Sequence, residues 1–378
     1  MKQMYDSFEE LVGEVERLHT LKRDITHPTK DVILYSDSTY PSGLDLVMTE
    51  DGADGETCNF KGKLSERALK QMCETYDMPF GYVKTMRNRN EDDLVAKNLN
   101  TWLHKPDLLR SNRRLFRCYR PEGENPAVVR SIHSDRYKIF DNIDLIEALM
   151  PTLKEVSDDL GGWQVKSSGL TDQKFYLKIV FPKFEADIDP TVGDIVQSGL
   201  VISNSEVGQG AISVTRLLFR LACLNGMVLP DGKARSTHLG KSQVAGEINY
   251  QDDTRKVMNQ ALVLQLRDHI KSAADGRKFY DSVAQMRMLS DSTQAVEPEK
   301  ALENLSEKFS LSEEETKHAR RSLLGNGNFN AWGMVNSITN IANKTNDYDR
   351  ASEIEVIGGK VAQHLSNEKN WRELALAA

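Results

Sequence analysis

The sequence predicts an α+β protein: a mixed body with an antiparallel sheet and hairpins, followed by a mostly helical C-terminal region. Short strand-like runs separated by turn residues fill the middle of the chain. Apolar residues recur at helical spacing near the N-terminus and again beyond about residue 250. We therefore expect an N-terminal helix and mixed region (1–110), an α+β core (111–248) and a helical C-terminal region (249–378).

Length and composition exclude several classes of protein. The chain has 378 residues, of which 39% are hydrophobic and 28% charged, with a formal net charge of −7. A chain of this size can bury a substantial core, and its apolar residues are too evenly spread for a disordered or collagen-like protein. No apolar run approaches the 18 or so residues that a membrane helix needs. We expect no membrane association.

The N-terminus and the cysteines indicate a cytoplasmic protein. The opening residues, MKQMYDSFEELVGEV, carry acids where a signal peptide needs an apolar stretch. The four cysteines are far apart, which fits reduced thiols better than a disulfide framework.

The N-terminal region begins with a predicted helix over residues 7–24, where Ser7 and Glu10 have the spacing of a capping box. Residues 26–62 indicate short strands and loops, and EDGADGET (50–57) is typical of a hairpin tip. The pattern becomes helical again over residues 65–89, with a break near Pro79.

The middle of the chain is rich in strand signals. The runs 115–120 and 127–132 flank PEGENP and predict a hairpin with a long loop. Asp141 is a candidate N-cap for a helix that Pro151 should kink or end. Three further strands are predicted, over residues 174–182, 199–205 and 211–219.

The C-terminal region contains several amphipathic helices. Ser312 and Glu315 form a predicted capping box that opens a helix ending at Gly325. Asn330 is expected to cap the next helix. The segment LSDSTQAVEPE (289–299) is the best candidate for an internal linker.

Positive charge collects in residues 84–120, which contain ten bases and four acids within an acidic chain. Aromatic residues lie between the bases. Because bases neutralise phosphates and aromatic rings stack on unpaired bases, this composition suits a single-strand groove. A groove for single-stranded nucleic acid is expected to use Arg110, Arg113, Arg114, Arg117, Arg120, Trp102, Tyr119, Arg136 and Arg220. The alternative is an ordinary solvated face that pairs with the acidic residues 291–315.

Arg220 lies within the apolar run LLFRLACL, and a buried arginine needs an anionic partner. Glu206 could supply that partner inside the fold, and a phosphate group could supply it from a ligand.

No motif of established catalytic or metal chemistry is present in the sequence. There is no CxxC pair and no HExxH, so we expect no metal and no cofactor. Gly240-Lys241-Ser242 ends like a phosphate-binding loop, but Arg235 occupies the position where that motif needs glycine. His133 and Asp135 share a strand face, yet a histidine near acids is more often a surface or capping residue. We expect no catalytic residues, although a nucleotide-processing enzyme remains open.

Three phrases resemble a known family. They are SDRYKIFDNIDLIEAL (134–149), GLVISNSEVGQGAISV (199–214) and FRLACLNGMV (219–228), in that order. The matching residues are Ser134, Asp135, Arg136, Tyr137, Asp141, Asn142, Asn204, Ser205, Glu206, Gly208, Arg220, Cys223, Asn225 and Gly226. Together they resemble the phage/plasmid-like proteins built on domain of unknown function 932, over roughly residues 110–345.

The resemblance implies a protein of phages or mobile elements that works in the bacterial host cytoplasm. It implies no settled biochemical role. The order of hairpin, strand and helix is compatible with Rad52-like phage proteins that anneal single strands and assemble into rings, which is an analogy of fold order.

Two functions are therefore expected. The first is binding of single-stranded DNA by a homo-oligomer, with strand annealing in recombination as its purpose. The second is a non-enzymatic protein-interaction factor whose acidic surface, centred on residues 291–315, binds a host or phage protein.

Overall fold

The computed structural model describes residues 4–5, 7–36, 44–51, 57–105, 113–120, 127–135, 137–189, 193–221, 225–229, 234–236 and 252–376. Within these ranges the chain forms a seven-stranded sheet, a six-stranded sheet and twelve α-helices. The last described strand ends at Ser236, and the described chain from residue 252 onward is helical. The predicted α+β class with a mostly helical C-terminal region is confirmed.

The six-stranded sheet combines the N-terminal strands with the predicted hairpin. Its strands are β2 (Lys22–Pro28), β3 (Val32–Ser36), β4 (Leu44–Asp51), β5 (Thr57–Leu64), β6 (Arg113–Tyr119) and β7 (Ala127–Ser134). They lie in the order β2-β6-β7-β5-β4-β3. β6 and β7 form the antiparallel hairpin that the sequence predicted, and β5 pairs with β7 in parallel. A boundary between residues 110 and 111 would therefore run through one continuous sheet.

One face of the six-stranded sheet is covered by α2 (Glu66–Thr75), α3 (Phe80–Asn88) and α4 (Asp92–Leu103). The predicted helical stretch 65–89 is thus two helices, and Pro79 is the N-cap residue of α3. Because side chains alternate along a strand, Phe116 and Cys118 of β6 enter this core while Arg117 points to the other face.

The seven-stranded sheet is antiparallel throughout. Its strands are β1 (Met4–Tyr5), β8 (Gln164–Leu170), β9 (Phe175–Asp187), β10 (Ile195–Asn204), β11 (Ile212–Arg220), β12 (Asn225–Val228) and β13 (Ala234–Ser236). They lie in the order β1-β8-β9-β10-β11-β12, with β13 beside β11. The predicted strands over 174–182, 199–205 and 211–219 correspond to β9, β10 and β11.

One face of this sheet packs against α1 (Phe8–Leu21), α5 (Asn142–Leu160) and α6 (Asp252–Ala273). The shared core includes Leu11, Leu149, Leu177, Ile202 and Leu266. Helix α6 therefore shares a core with strands that precede the sequence-derived boundary at 248/249.

Helices α1 and α5 differ in length from their predictions. Ser7 accepts the N–H of Glu10 as predicted, but α1 ends at Leu21 because residues 22–28 pair with β6 as a strand. Pro151 does not end α5, which runs to Leu160 and is capped by Gly161 with φ of 71°. Leu149 and Leu153, on either side of the proline, are buried, so packing compensates for the lost backbone hydrogen bond.

The remaining helices are α7 (Gly276–Ser290), α8 (Pro298–Lys308), α9 (Glu313–Asn326), α10 (Ala331–Thr339), α11 (Tyr348–Leu365) and α12 (Glu368–Leu376). The capping box of Ser312 and Glu315 and the Asn330 cap are confirmed. Helix α9 continues one residue past Gly325, and Gly327 supplies the left-handed C-cap. No helix within the described ranges is both long and apolar enough to span a membrane.

The predicted linker, residues 289–299, is a packed connection between α7 and α8. Ala295 is buried and its N–H donates to Phe329 O (3.0 Å), while the N–H of Val296 donates to Ala375 O (3.0 Å). Helices α7 and α8 contribute to the same core. This segment therefore does not separate two units.

Candidate functional site

Arg117 occupies the interior. Its side chain is 1% exposed, and its Nε and Nη2 donate to Asp24 at 3.2 and 3.3 Å. Nη2 also pairs with Asp141, and Nη1 donates to the backbone oxygen of Glu206 at 2.8 Å. A buried guanidinium requires such partners. The expectation that Arg117 lines an open groove is therefore corrected, because its charge is used inside the fold.

Arg117 is the centre of an ionic cluster, formed by Lys22, Asp24, Arg117, Arg130, Asp141 and Glu206. Lys22 also pairs with Asp141, and its Nζ lies 3.6 Å from Asp24. Burial alone would raise the pKa of Asp141, but the charges of Arg117 and Lys22 hold it below its ordinary value. The cluster joins β2 and β6 of the six-stranded sheet to the start of α5.

Glu206 ties the cluster to the seven-stranded sheet. Its Oε2 accepts from Arg130 Nη1 (2.8 Å), and its Oε1 accepts the backbone N–H of Asn142 (2.9 Å), the first residue of α5. The guanidinium of Arg130 lies 3.9 Å from the ring centroid of Tyr119. Arg130 therefore covers one face of the tyrosine that the sequence suggested for base stacking.

The first two family-like phrases meet beside this cluster. The side-chain amide of Asn204 donates to Phe140 O (3.2 Å) and to Asn142 Oδ1 (2.9 Å). Asp141 is confirmed as the N-cap residue of α5, and its N–H donates to Asp144 Oδ2 (2.8 Å). The residues of these phrases therefore have structural roles at the junction of the two sheets.

His133 belongs to the same junction. Its ring stacks on Tyr137 with centroids 3.9 Å apart, and its Nε2 lies 2.9 Å from Ser131 Oγ. Gly208 has φ of +74°, and a Cβ there would lie 2.6 Å from His133. Close packing explains both the histidine and the glycine.

Arg220 has an internal partner, but it is Asp194 and not Glu206. The two side chains form an ion pair, and Asp194 also accepts from Trp332 Nε1 (2.7 Å). Arg220 ends β11 opposite Val196, near the start of β10, whereas Glu206 follows the other end of β10. Strand register therefore decides the pairing. The expectation that Arg220 contacts a nucleic acid is not supported by this placement.

The other residues expected in the groove do not all lie at one place in the structure. Arg110 and Arg136 lie outside the described residues. Arg120 is exposed and follows β6, so seven residues of strand, roughly 23 Å, separate it from Arg113.

Part of the basic segment does converge at one end of the six-stranded sheet. Arg113 lies opposite Pro28, two residues before Lys30. The end of α4 reaches the same place, because His104 Nε2 lies 3.1 Å from Val32 O. We call Lys30, Trp102, Lys105, Arg113 and Arg114 the basic end.

The side chains of the basic end are accessible to different degrees. Lys30, Lys105 and Arg113 are exposed, whereas Arg114 and Trp102 are half-buried. The ammonium of Lys105 lies 4.5 Å from the Trp102 ring centroid, and Arg113 Nη2 donates to Thr26 O (3.0 Å). The basic end thus combines exposed cations with an aromatic ring.

Half of the acidic residues in 291–315 pair within the C-terminal helices. Arg320 contacts Glu299 and Glu303, Arg350 contacts Glu315 through two hydrogen bonds, and Lys300 lies 3.8 Å from Glu297. Hydrogen bonding to Arg350 lowers the pKa of Glu315 to about 2.

A second buried ion pair, which the sequence did not predict, joins Lys178 of β9 to Glu355 of α11. Their side chains are 7% and 8% exposed, with Nζ 2.6 Å from Oε2. Lys178 also lies 4.9 Å from the ring centroid of Tyr348. In the sequence, KFYLKIVFP has only the pattern of a strand. Nothing near Lys178 in the chain indicates that it pairs with a helix almost 180 positions away, because long-range pairing leaves no local signal.

Among the residues that the structure describes, no group of three or more histidine, cysteine, aspartate or glutamate side chains is suited to hold a metal ion. Cys73 and Cys118 are buried, and burial raises the pKa of the Cys73 thiol to about 11.

The fold and the ionic cluster define an α+β protein whose two sheets are joined by the residues of the first two phrases. The sequence model described as Domain of unknown function (DUF932) matches residues 129–356, more than half of the chain. The chain belongs to the DUF932 family. No curated protein and no solved structure shows detectable similarity to it. The matched range includes Arg130, Asp141, Glu206 and the Lys178–Glu355 pair, but not Arg117 or the basic end.

Proposed function

We propose that this protein binds single-stranded DNA through the basic end. The observation that carries the proposal is the convergence of Lys30, Lys105 and Arg113, all exposed, beside the half-buried ring of Trp102. Cations neutralise the phosphate backbone, and an aromatic ring offers a surface on which a base can stack. Asp31, in the same turn as Lys30, reduces the local positive charge only in part.

The binding surface proposed here is smaller than the segment 84–120. Arg117 and Arg220 are excluded because their guanidinium groups pair with carboxylates inside the fold. Tyr119 is excluded because it lies beside the ionic cluster, with its hydroxyl 3.4 Å from Glu206 Oε2, at the opposite end of β6 from Arg113. The same proposal includes strand annealing and assembly into a homo-oligomer. It also includes a role for this phage or mobile-element protein in the cytoplasm of the bacterial host.

The test is fluorescence anisotropy with a labelled single-stranded oligonucleotide at several salt concentrations, with duplex DNA for comparison. We expect binding that weakens steeply with salt. The triple variant Lys30→Glu, Lys105→Glu and Arg113→Glu should bind more weakly, and its log–log salt slope should fall by about 2, since each phosphate contact to a single strand contributes about 0.7.

The matched control reverses three exposed bases far from the basic end: Arg277→Glu, Lys369→Glu and Arg372→Glu. It makes the same change in net charge and should retain the wild-type salt slope. Equal loss of affinity in both triple variants would show that the effect comes from net charge alone. Wild-type affinity in the first variant would remove the basic end from the binding surface.

The alternative proposal is a protein-interaction role for the acidic surface. It is favoured by the exposure of Asp291, Glu307, Glu313 and Glu314, for which no ion pair occurs within the described ranges. Nuclease-treated pull-down from bacterial lysate tests it. Capture that disappears when these four acids are changed to lysine would favour this role, and capture that is lost on nuclease treatment would count against it.

A further inference from the structure

A cavity of about 440 Å³ lies between the outer face of the seven-stranded sheet and α11. The sheet contributes a wall of hydroxyl groups from Ser203, Ser213 and Thr215, and the first two lie 2.8 Å apart. Val201 and Val228 also line the cavity and supply apolar surface. Pockets of this size and mixed lining are typical of small-molecule sites.

Helix α11 supplies buried polar groups to the opposite wall. Ser352 is 7% exposed, and its hydroxyl has no hydrogen-bond partner in the described part of the chain. Glu355 is 6% exposed and lines the same cavity, with Lys178 behind it. A buried hydroxyl without a partner is unfavourable unless a ligand or an ordered water completes its bonding.

A glycine of the third family-like phrase permits this arrangement. A Cβ on Gly226 would lie 2.7 Å from Leu217 and 3.0 Å from the carboxylate of Glu355. Only glycine lets β12 approach Glu355 so closely. The close approach places the carboxylate at the cavity wall and connects this phrase of the family to the cavity.

The residues that line the cavity include three bases, Lys174, Arg350 and Lys360, and two acids, Glu353 and Glu355. Lys174 and Lys360 both line it, and neither has an ion pair within the residues that the structure describes. Arg350 also lines the cavity, but its guanidinium is held by Glu315 and Glu353. Two lysines without carboxylate partners are therefore positioned to receive an anionic group, whereas the interior offers hydroxyls and one carboxylate.

We propose that this cavity binds a small phosphorylated sugar, either free or as part of a nucleotide. The sugar hydroxyls donate to Glu355 and exchange hydrogen bonds with Ser203, Ser213 and Ser352. The phosphate contacts Lys174 and Lys360. The hydroxyl-rich walls disfavour a purely apolar ligand, because such a ligand would leave these groups without partners.

Isothermal titration calorimetry of the full chain with ribose 5-phosphate, AMP and inorganic phosphate tests the proposal. Binding of either sugar phosphate at least tenfold tighter than inorganic phosphate supports it, and the ratio of the two tells a free sugar phosphate from a nucleotide. Equal affinity for inorganic phosphate would overturn it, as would no binding of either sugar phosphate at millimolar concentration.

Three cavity variants and one control variant locate the binding. Lys360→Glu and Ser213→Val should each weaken the tighter sugar phosphate tenfold or more, whereas Lys369→Glu on α12 should not. Ser352→Ala should weaken binding without lowering the midpoint of thermal unfolding, because the hydroxyl has no hydrogen-bond partner among the described residues. Unchanged affinity in all three cavity variants would place the ligand elsewhere.

This site is independent of the proposed DNA surface. The triple variant Lys30→Glu, Lys105→Glu and Arg113→Glu should bind the sugar phosphate with wild-type affinity. Failure of DNA binding therefore leaves this inference intact, and failure of the calorimetric test leaves the DNA proposal intact.

Discussion

The guanidinium of Arg117 and the carboxylate of Asp141 form an ion pair in the interior, between a strand of the six-stranded sheet and the N-cap of α5. Their side chains are 1% and 4% exposed. Asp141 also forms an ion pair with Lys22 and is the N-cap residue of α5. The contact therefore connects the six-stranded sheet to the helix that packs on the seven-stranded sheet.

Removing Arg117 should destabilise the protein strongly. Arg117→Leu leaves the buried Asp141 and the half-buried Asp24 with Lys22 as the remaining cation of their group, and loss of one partner of a buried ion pair costs about 3–5 kcal/mol. The free energy of unfolding from urea titration measures the effect. Arg113→Leu on the same strand is the control and should change it by about 0.5 kcal/mol or less, because the residue is exposed. Equal losses in the two variants would contradict the assignment.

Acid should weaken the contact between α9 and α11. Hydrogen bonding to Arg350 lowers the pKa of Glu315 from 4.5 to about 2. A carboxyl with a lowered folded-state pKa adds stability that is complete above its unfolded pKa and is lost as the pH falls toward 2. The midpoint of thermal unfolding should therefore fall less between pH 5 and pH 2 in Glu315→Gln than in the wild type. Parallel pH profiles would rule out this contribution.

Gly208 should not tolerate a side chain. Alanine there must adopt φ of +74° and bring its Cβ within 2.6 Å of the His133 ring. Gly208→Ala should therefore lower the free energy of unfolding by about 2 kcal/mol. Gly13 is the opposite case, because it lies in α1 with nothing within 4 Å of a new Cβ. Gly13→Ala should therefore raise the free energy of unfolding by about 1 kcal/mol. Chemical unfolding distinguishes the two signs. A stabilising Gly208→Ala would show that the turn is not held against His133.

The Lys178–Glu355 pair should show strong coupling. Lys178→Met alone leaves a buried carboxylate and should cost about 3–5 kcal/mol. The double variant Lys178→Met with Glu355→Leu removes both charges and should recover most of that loss, since apolar replacements of buried ion pairs are often neutral. A double-mutant cycle in urea measures the coupling. Additive losses would mean that the two side chains act independently.

Local signals in the sequence were sufficient for most of the secondary structure. The capping box of Ser312 and Glu315 and the Asn330 cap act within a few residues, so they could be read directly. The β6–β7 hairpin was predicted because two strand-like runs flank a turn-rich loop. The family phrases were also recognisable from residue order alone.

The candidate sites depended on contacts between distant residues. Alternation along β6 places Arg117 and Phe116 on opposite faces, but it does not reveal that both faces are covered. The expected groove was therefore partly wrong at Arg117, whereas its Arg113 end remains exposed.

The amino-acid sequence by itself determined the α+β class, the major helices and strands, and the family. Those features follow from periodicity, capping and turn chemistry within short stretches of chain. The tertiary structure decided which charges are buried, that Arg220 pairs with Asp194, and that Lys178 meets Glu355 beside a cavity. Burial and pairing depend on strand register and on which surface covers each face, and these are properties of residues far apart in the chain.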